Sequence, residues 1–276
     1  MGKILGIAIC CLMVLALVSG GPGSAGAAGP VAQVRVSSMV PLVHNAFAGT
    51  QIRLHNLGRE RPEGPYLTWH EANASFIRLG PLVGGAEARF TIPEYVINAG
   101  PYGFLKYYVN DITLRAVSVG WEDAAFRLIL RLETAGTELK GYHTALSKSH
   151  RDNGAPDVSL DKMRIDVVLP PEHRARSVSY GLPRVLFGGN VQANGGCRFK
   201  GMDLCGDLSR LRARLKELIE GELGAALNRE EARDRLADVL RTRITELMRA
   251  AGVKNFGAVT AVTVAGDFLV ISYSAR

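Results

Sequence analysis

The residues that could do chemistry in this 276-residue chain are present, but their spacing assembles no catalytic motif. Gly21-Pro22-Gly23-Ser24-Ala25-Gly26 has the G-x-G-x-x-G order that can cradle a pyrophosphate, yet it follows no strand and opens no helix. The sequence has no Walker loop, no H-E-x-x-H pair and no G-x-S-x-G elbow. His70-Glu71 lacks a second histidine four residues on. The six histidines, His44, His55, His70, His143, His150 and His173, are scattered, and His143 and His150 form the closest pair. Sharing one ion would require a strand end to bring those two together, so loop and surface histidines are expected and no metal site. Glu94, Glu122 and Asp123 stand beside Pro or Trp in turn-like contexts rather than as an acid/base pair. Glu122-Asp123 is expected to serve a hairpin turn between Trp121 and Phe126. The expectation is therefore a non-enzymatic protein with no catalytic residues and no cofactor.

Aromatic residues are more concentrated. PEYVINAGPYGFLKYYVNDITL gathers Tyr95, Tyr102, Phe104, Tyr107 and Tyr108 into one Pro- and Gly-containing stretch. Rings with polar tips suit the mouth of an apolar pocket, and they suit a loop folded over a core equally well.

The chain begins with a short basic head, Met1-Gly2-Lys3, then an apolar run from Ile4 to Ser19 and a small flexible stretch with Ala25-Gly26-Ala27. That order reads as a secretory signal peptide over residues 1–27, which implies a periplasmic or secreted protein. A retained membrane anchor is the alternative, the apolar run being marginal for a span. Residues 28–276 are then expected to form one domain of globular composition, the whole chain being 47% hydrophobic and 21% charged. The net charge of +7 favours acidic surfaces such as anionic headgroups. It is spread along the chain without a basic stripe, which argues against nucleic acid. In an oxidising compartment Cys197 and Cys205, in CRFKGMDLC, are expected to form a disulfide. A loop that small contributes roughly 2–3 kcal/mol in the loop-entropy picture.

These groups must be positioned by two kinds of element. From 28 to 194 the dominant period is two. DITLRAVSV aligns Ile112, Leu114 and Ala116; FRLILRLET aligns Phe126, Leu128, Leu130 and Leu132; MRIDVVL aligns Met163, Ile165, Val167 and Leu169. Near the front, Ser37 or Ser38 is expected to cap a helix over Met39–Ala48. From 207 to 251 the period becomes helical, with stripes at Leu208, Leu211, Leu215, Leu218, Ile219 and Leu223, then Leu236, Val239, Leu240, Ile244, Leu247, Met248 and Ala251. Asn228 has capping-box spacing to Glu231. A hairpin over 258–274 closes the chain, and its second arm, Phe268-Leu269-Val270-Ile271, is apolar on both faces. The expected fold is α+β: a long curved antiparallel sheet packed on C-terminal amphipathic helices, with a closing β-hairpin.

The order of strands, helix and VKNFGAVTAVTVAGDFLVISY resembles the tubular lipid-binding (TULIP-like) domains, chiefly over Leu236–Tyr273 and more loosely over Tyr108–Leu132. The resemblance implies a sheet wrapped around a long helix, enclosing an apolar tunnel for an acyl chain or sterol-like ligand. The chain departs from that pattern in its two consecutive helical stripes and its inserted Cys197–Cys205 loop. Read from the residues themselves, the candidate lining is Leu240, Ile244, Leu247 and Met248 facing Phe268, Val270, Leu128 and Leu130. The expected partner is an acyl lipid or other hydrophobic small molecule handled in the cell envelope, with an anionic membrane surface as a further partner. The competing expectation is an envelope structural or protein-interaction module using strand edges or the aromatic stretch.

Overall fold

The computed structural model describes residues 30–54, 56–63, 66–73, 75–84, 87–92, 95–98, 104–108, 112–132, 137–143, 158–193, 196–250 and 252–275. It opens with β1 (Val31–Arg35), α1 (Val36–Phe47), β2 (Thr50–Leu54), β3 (Asn56–Glu63), β4 (Tyr66–Asn73), β5 (Phe76–Leu79) and a 3-10 turn (Gly80–Val83). There follow β6 (Ala88–Arg89), β7 (Tyr95–Asn98), β8 (Phe104–Tyr108), β9 (Ile112–Glu122), β10 (Ala125–Leu132), β11 (Thr137–His143) and β12 (Val158–Leu169). The chain continues through β13 (Pro171–Arg174), β14 (Ser177–Tyr180), β15 (Arg184–Ala193), β16 (Arg198–Phe199) and β17 (Met202–Asp203). It ends with α2 (Cys205–Leu227), α3 (Glu230–Ala250), β18 (Phe256–Ala265) and β19 (Phe268–Ala275).

The fold is α+β, built on a curved, open antiparallel sheet. Seven strands run in the order β6-β5-β2-β9-β10-β12-β15, and β11, β8 and β7 continue from the other end of β12. The alternation read in the sequence sets which face is covered. Ile112, Leu114, Phe126, Leu128, Leu130, Met163, Ile165, Val167 and Leu169 are buried on one side. Arg127 meets Glu122 and Asp166 on the other, and Arg164 pairs with Asp166 at 2.7 Å. The Glu122 contact, ahead of its partial desolvation, raises the Arg127 pKa further above its already high ordinary value. Asp123 and Ala124 form the β9–β10 turn with positive φ, as expected of this hairpin. The stretch expected to be an aromatic loop forms a strand pair instead, with Tyr95 opposite Tyr107 and Asn98 opposite Phe104.

All three helices lie against this framework: α1 on β9 and β10, α2 on β15 and β5, and α3 on β14, α1 and the 3-10 turn. The α2 stripe buries Leu208, Leu211, Leu215, Ile219 and Leu223, each worth roughly 1.5–3 kcal/mol when removed from water. In α3, Leu236, Leu240, Ile244, Leu247 and Met248 are buried, whereas Val239, expected in the stripe, faces solvent. Glu220 of α2 accepts a hydrogen bond from the Phe187 N–H at 2.7 Å, which satisfies an outward donor of β15.

Three local expectations are corrected. Helix α1 starts at Val36 with no side-chain cap, because Asp267 O accepts from Val36 N at 2.9 Å. Asn228 closes α2, its N–H bonding Gly224 O, and Arg229 O accepts the first α3 bond, from Arg233 N. The closing hairpin is longer than expected, and β1 pairs with β19 to make the three-stranded sheet β1-β19-β18. Gly252, with φ +83°, ends the helical region as expected. Cys197 and Cys205 form a disulfide with Cα atoms 5.2 Å apart, just ahead of α2. No helix among the described residues is long and apolar enough to cross a membrane.

Candidate functional site

The residues expected to line a tunnel fall into two groups. Leu128 and Leu130 are 0% exposed, and Leu240, Ile244 and Met248 are 1% exposed. A channel wide enough for an acyl chain would leave its lining open to a water-sized sphere; these side chains are almost wholly closed to one, and Ile244 also borders a surface depression beside Arg241 and Phe256. Leu247 is buried in the same α3 stripe, and that stripe packs chiefly on β14, α1 and the 3-10 turn, not on Leu128 and Leu130 of β10 as expected. Phe268 and Val270 are placed differently. Leu269, Ile271 and Tyr273 are the buried set of β19, so Phe268 and Val270 point to the opposite face and are only half-buried. The expectation that they face α3 is corrected by one residue of phase. Both phases of this strand are apolar, so alternation alone does not choose between them.

That second face is where open apolar space lies. Register places Arg35 opposite Phe268 and Gln33 opposite Val270. A groove of about 480 Å³ opens there, lined by Arg35, Val36, Ser37, Val40, Trp121, Asp267 and Phe268. Each wall has a structural cause. Trp121 is the last residue but one of β9, and its ring is set edge-on against buried Phe126, with centroids 5.0 Å apart. Phe268 begins β19 directly after the Gly266-Asp267 turn, where Gly266 has φ +56°. The Arg35 guanidinium lies 5.5 Å from the Phe268 ring centroid, a cation–π distance that holds the ring at the rim. Val36 and Val40 come from one face of α1, and the Val36–Asp267 backbone bond ties that helix to the hairpin turn. Within α1, Pro41 cannot donate to the Ser37 carbonyl, which leaves the first turn less tied than a regular helix.

The groove therefore offers two aromatic rings and two valines as floor and walls, with one cation and one carboxylate at the rim. Its volume lies within the range of small-molecule sites. It can desolvate an apolar group and orient a polar end.

The other expected site residues are accounted for as follows. Tyr95, Phe104, Tyr107 and Tyr108 lie on β7 and β8, with only their backbones described, and Tyr102 lies outside the described residues. Of the histidines, His44 is exposed on α1 and His173 is half-buried on β13. Among the described residues, the one group of His, Cys, Asp and Glu close enough to share a cation is Cys197, Asp203 and Cys205. Its sulfurs are joined, and Asp203 Oδ1 accepts from Cys205 N at 2.9 Å, which satisfies the first N–H of α2. Sequence reasoning missed Trp121, Arg35, Val36 and Val40 as groove residues. The available signal was the two-sided apolar character of β19, which required a cover on both faces.

No protein-family model, curated protein or solved structure matches this chain.

Proposed function

We propose that this protein is an exported, non-enzymatic binder of an acyl lipid or similar hydrophobic small molecule, acting in envelope lipid handling. The observation carrying the reading is the Trp121–Phe268 groove: an open, ring-walled depression on the face of the hairpin that the core leaves uncovered. Burying an acyl segment there yields about 0.8 kcal/mol per methylene, so micromolar binding, about 8 kcal/mol, takes on the order of ten buried methylenes before the cost of ordering the chain. The likeness to tubular lipid-binding domains supports the ligand class, and the burial of Leu128, Leu130 and Met248 favours the surface groove over an enclosed tunnel as the binding place.

Trp121 is a built-in reporter. The chain has two tryptophans, and a Trp69→Phe substitution leaves Trp121 alone. Titration with oleate or with phospholipid micelles should then shift Trp121 emission to the blue. Phe268→Asp should weaken the apparent affinity at least tenfold, by placing a carboxylate where the acyl chain lies, without lowering the melting temperature appreciably. Organic extraction of the purified protein should yield a lipid detectable by mass spectrometry. An unchanged Trp121 spectrum together with an empty extract would overturn the reading.

A further inference from the structure

We infer a second, separate binding site: a pocket for a phosphate-class anion between the C-terminal half of α3, the β13–β14 turn and the start of β18. The depression measures about 400 Å³ and is lined by Ala175, Arg176, Ser177, Arg241, Ile244, Thr245, Arg249, Phe256, Gly257, Ala258 and Val259. Among the described residues, three guanidinium groups from two elements share it, and none of the lining side chains is acidic. Asp238, paired with Arg241 at 2.8 Å, lies outside the lining. Among the described residues no side-chain partner neutralises Arg176 or Arg249. Like charges gathered on one depression repel, and a multiply charged oxyanion relieves this with fork-shaped charge-assisted hydrogen bonds.

The second observation is independent of charge. Ser177 is 1% exposed, lines the same pocket, and among the described residues its Oγ has no hydrogen-bond partner. A buried hydroxyl without a partner is destabilising, and an oxyanion at this position would accept its hydrogen bond. The backbone that carries it is held in a demanding form. Ala175 and Arg176 have φ of +48° and +61°, the sign that a tight hairpin turn usually assigns to Gly or Asn. Two contacts enforce this conformation. Arg241 donates to Ala175 O at 2.8 Å, and Val259 N donates to Arg176 O at 3.2 Å. The turn is thus clamped between α3 and β18, fixing where the Arg176 side chain leaves the backbone. Gly257 completes the wall, since a Cβ there would sit 2.2 Å from Ser274 O. The fold in this way holds two arginines, a buried hydroxyl and a bare backbone around one space, and Arg241 clamps the turn from the third side.

Isothermal titration with inorganic phosphate tests the site directly. Binding should be weakened about tenfold by Arg176→Gln or by Arg249→Gln, both exposed positions whose change leaves the fold intact by circular dichroism. Ser177→Ala separates function from structure. It should raise the melting temperature in anion-free buffer, because it removes an unpartnered hydroxyl, and at the same time lower phosphate affinity. Vesicles of phosphatidylcholine with and without phosphatidic acid distinguish the source of the anion. Arginine-dependent binding to the acidic vesicles assigns a lipid headgroup, and phosphate binding without vesicle binding assigns a free phosphate compound. Either result supports the site. No arginine-dependent binding of phosphate or of acidic vesicles overturns it, as does equal binding by an Arg176→Gln/Arg249→Gln double variant. The Trp121 titration should be unaffected by these changes, so this inference and the acyl-groove reading fail separately.

Discussion

Leu128→Ala is expected to lower stability by about 2–5 kcal/mol, the cost of a cavity in close-packed core. Leu128 is 0% exposed and sits mid-strand on β10, opposite Val119 of β9 and Val167 of β12. Were it the wall of an acyl tunnel, the same truncation would only widen a space that already exists. Stability without ligand would then barely change, and ligand affinity or chain-length preference would shift instead. Chemical denaturation of the lipid-stripped protein separates the two cases through the unfolding midpoint. Met248→Ala should give the same outcome in α3, since Met248 is only 1% exposed. A loss below about 1 kcal/mol at both positions would return the interior to consideration as the ligand space.

Tyr180→Phe is expected to cost about 1–3 kcal/mol although it removes a single oxygen. Tyr180 is fully buried, its ring near Phe47, and its hydroxyl donates to Leu227 O at 2.7 Å. That carbonyl belongs to the last turn of α2, where no further helical N–H can satisfy it. The substitution therefore leaves a buried acceptor without its donor. The surrounding contacts join the same hairpin to α3: Ser179 Oγ donates to Arg233 O at 2.6 Å, and Arg174 pairs with Asp234 at 2.6 Å. Burial pushes the Tyr180 pKa well above its ordinary value, with Arg233 and Arg174 opposing the shift. A tyrosine whose pKa is raised on folding contributes stability that is complete below about pH 10, its unfolded value, and is lost as pH climbs toward the folded value. The difference between the unchanged chain and the Tyr180→Phe variant should thus be largest near neutral pH and shrink above pH 10. Unfolding midpoints at pH 8 and pH 11 check this; a difference that grows with pH would contradict it.

How much of this was legible in the sequence depended on whether a strand has one wet face. Along β10 and β12, Leu128 and Leu130 or Ile165 and Val167 alternate with Arg127, Arg131, Arg164 and Asp166, so the buried side can be read directly. Along β19, Phe268 and Val270 alternate with Leu269 and Ile271, and the pattern carries no phase information. The partner strand β1 and the start of α1 decide it, and neither is visible from the hairpin's own sequence. The helix starts failed for a related reason. Val36 finds its acceptor in Asp267, at the far end of the chain, so no local Ser cap is needed at Ser37. The arginine pocket was hidden as a solvated helix face, since Arg241 and Arg249 join Arg176 and Ser177 only through tertiary structure.

The most direct test of where a hydrophobic guest sits is photo-crosslinking with a fatty acid carrying a terminal diazirine, followed by tryptic peptide mass spectrometry. Trypsin cleaves after Arg127 and so separates Trp121 from Leu128. Insertion into peptides holding Val36–Val40, Trp121 and Phe268, suppressed by Phe268→Asp, is the expected result. Insertion at Leu128–Leu130 or Leu240–Met248 instead would place the guest in the interior and contradict the groove.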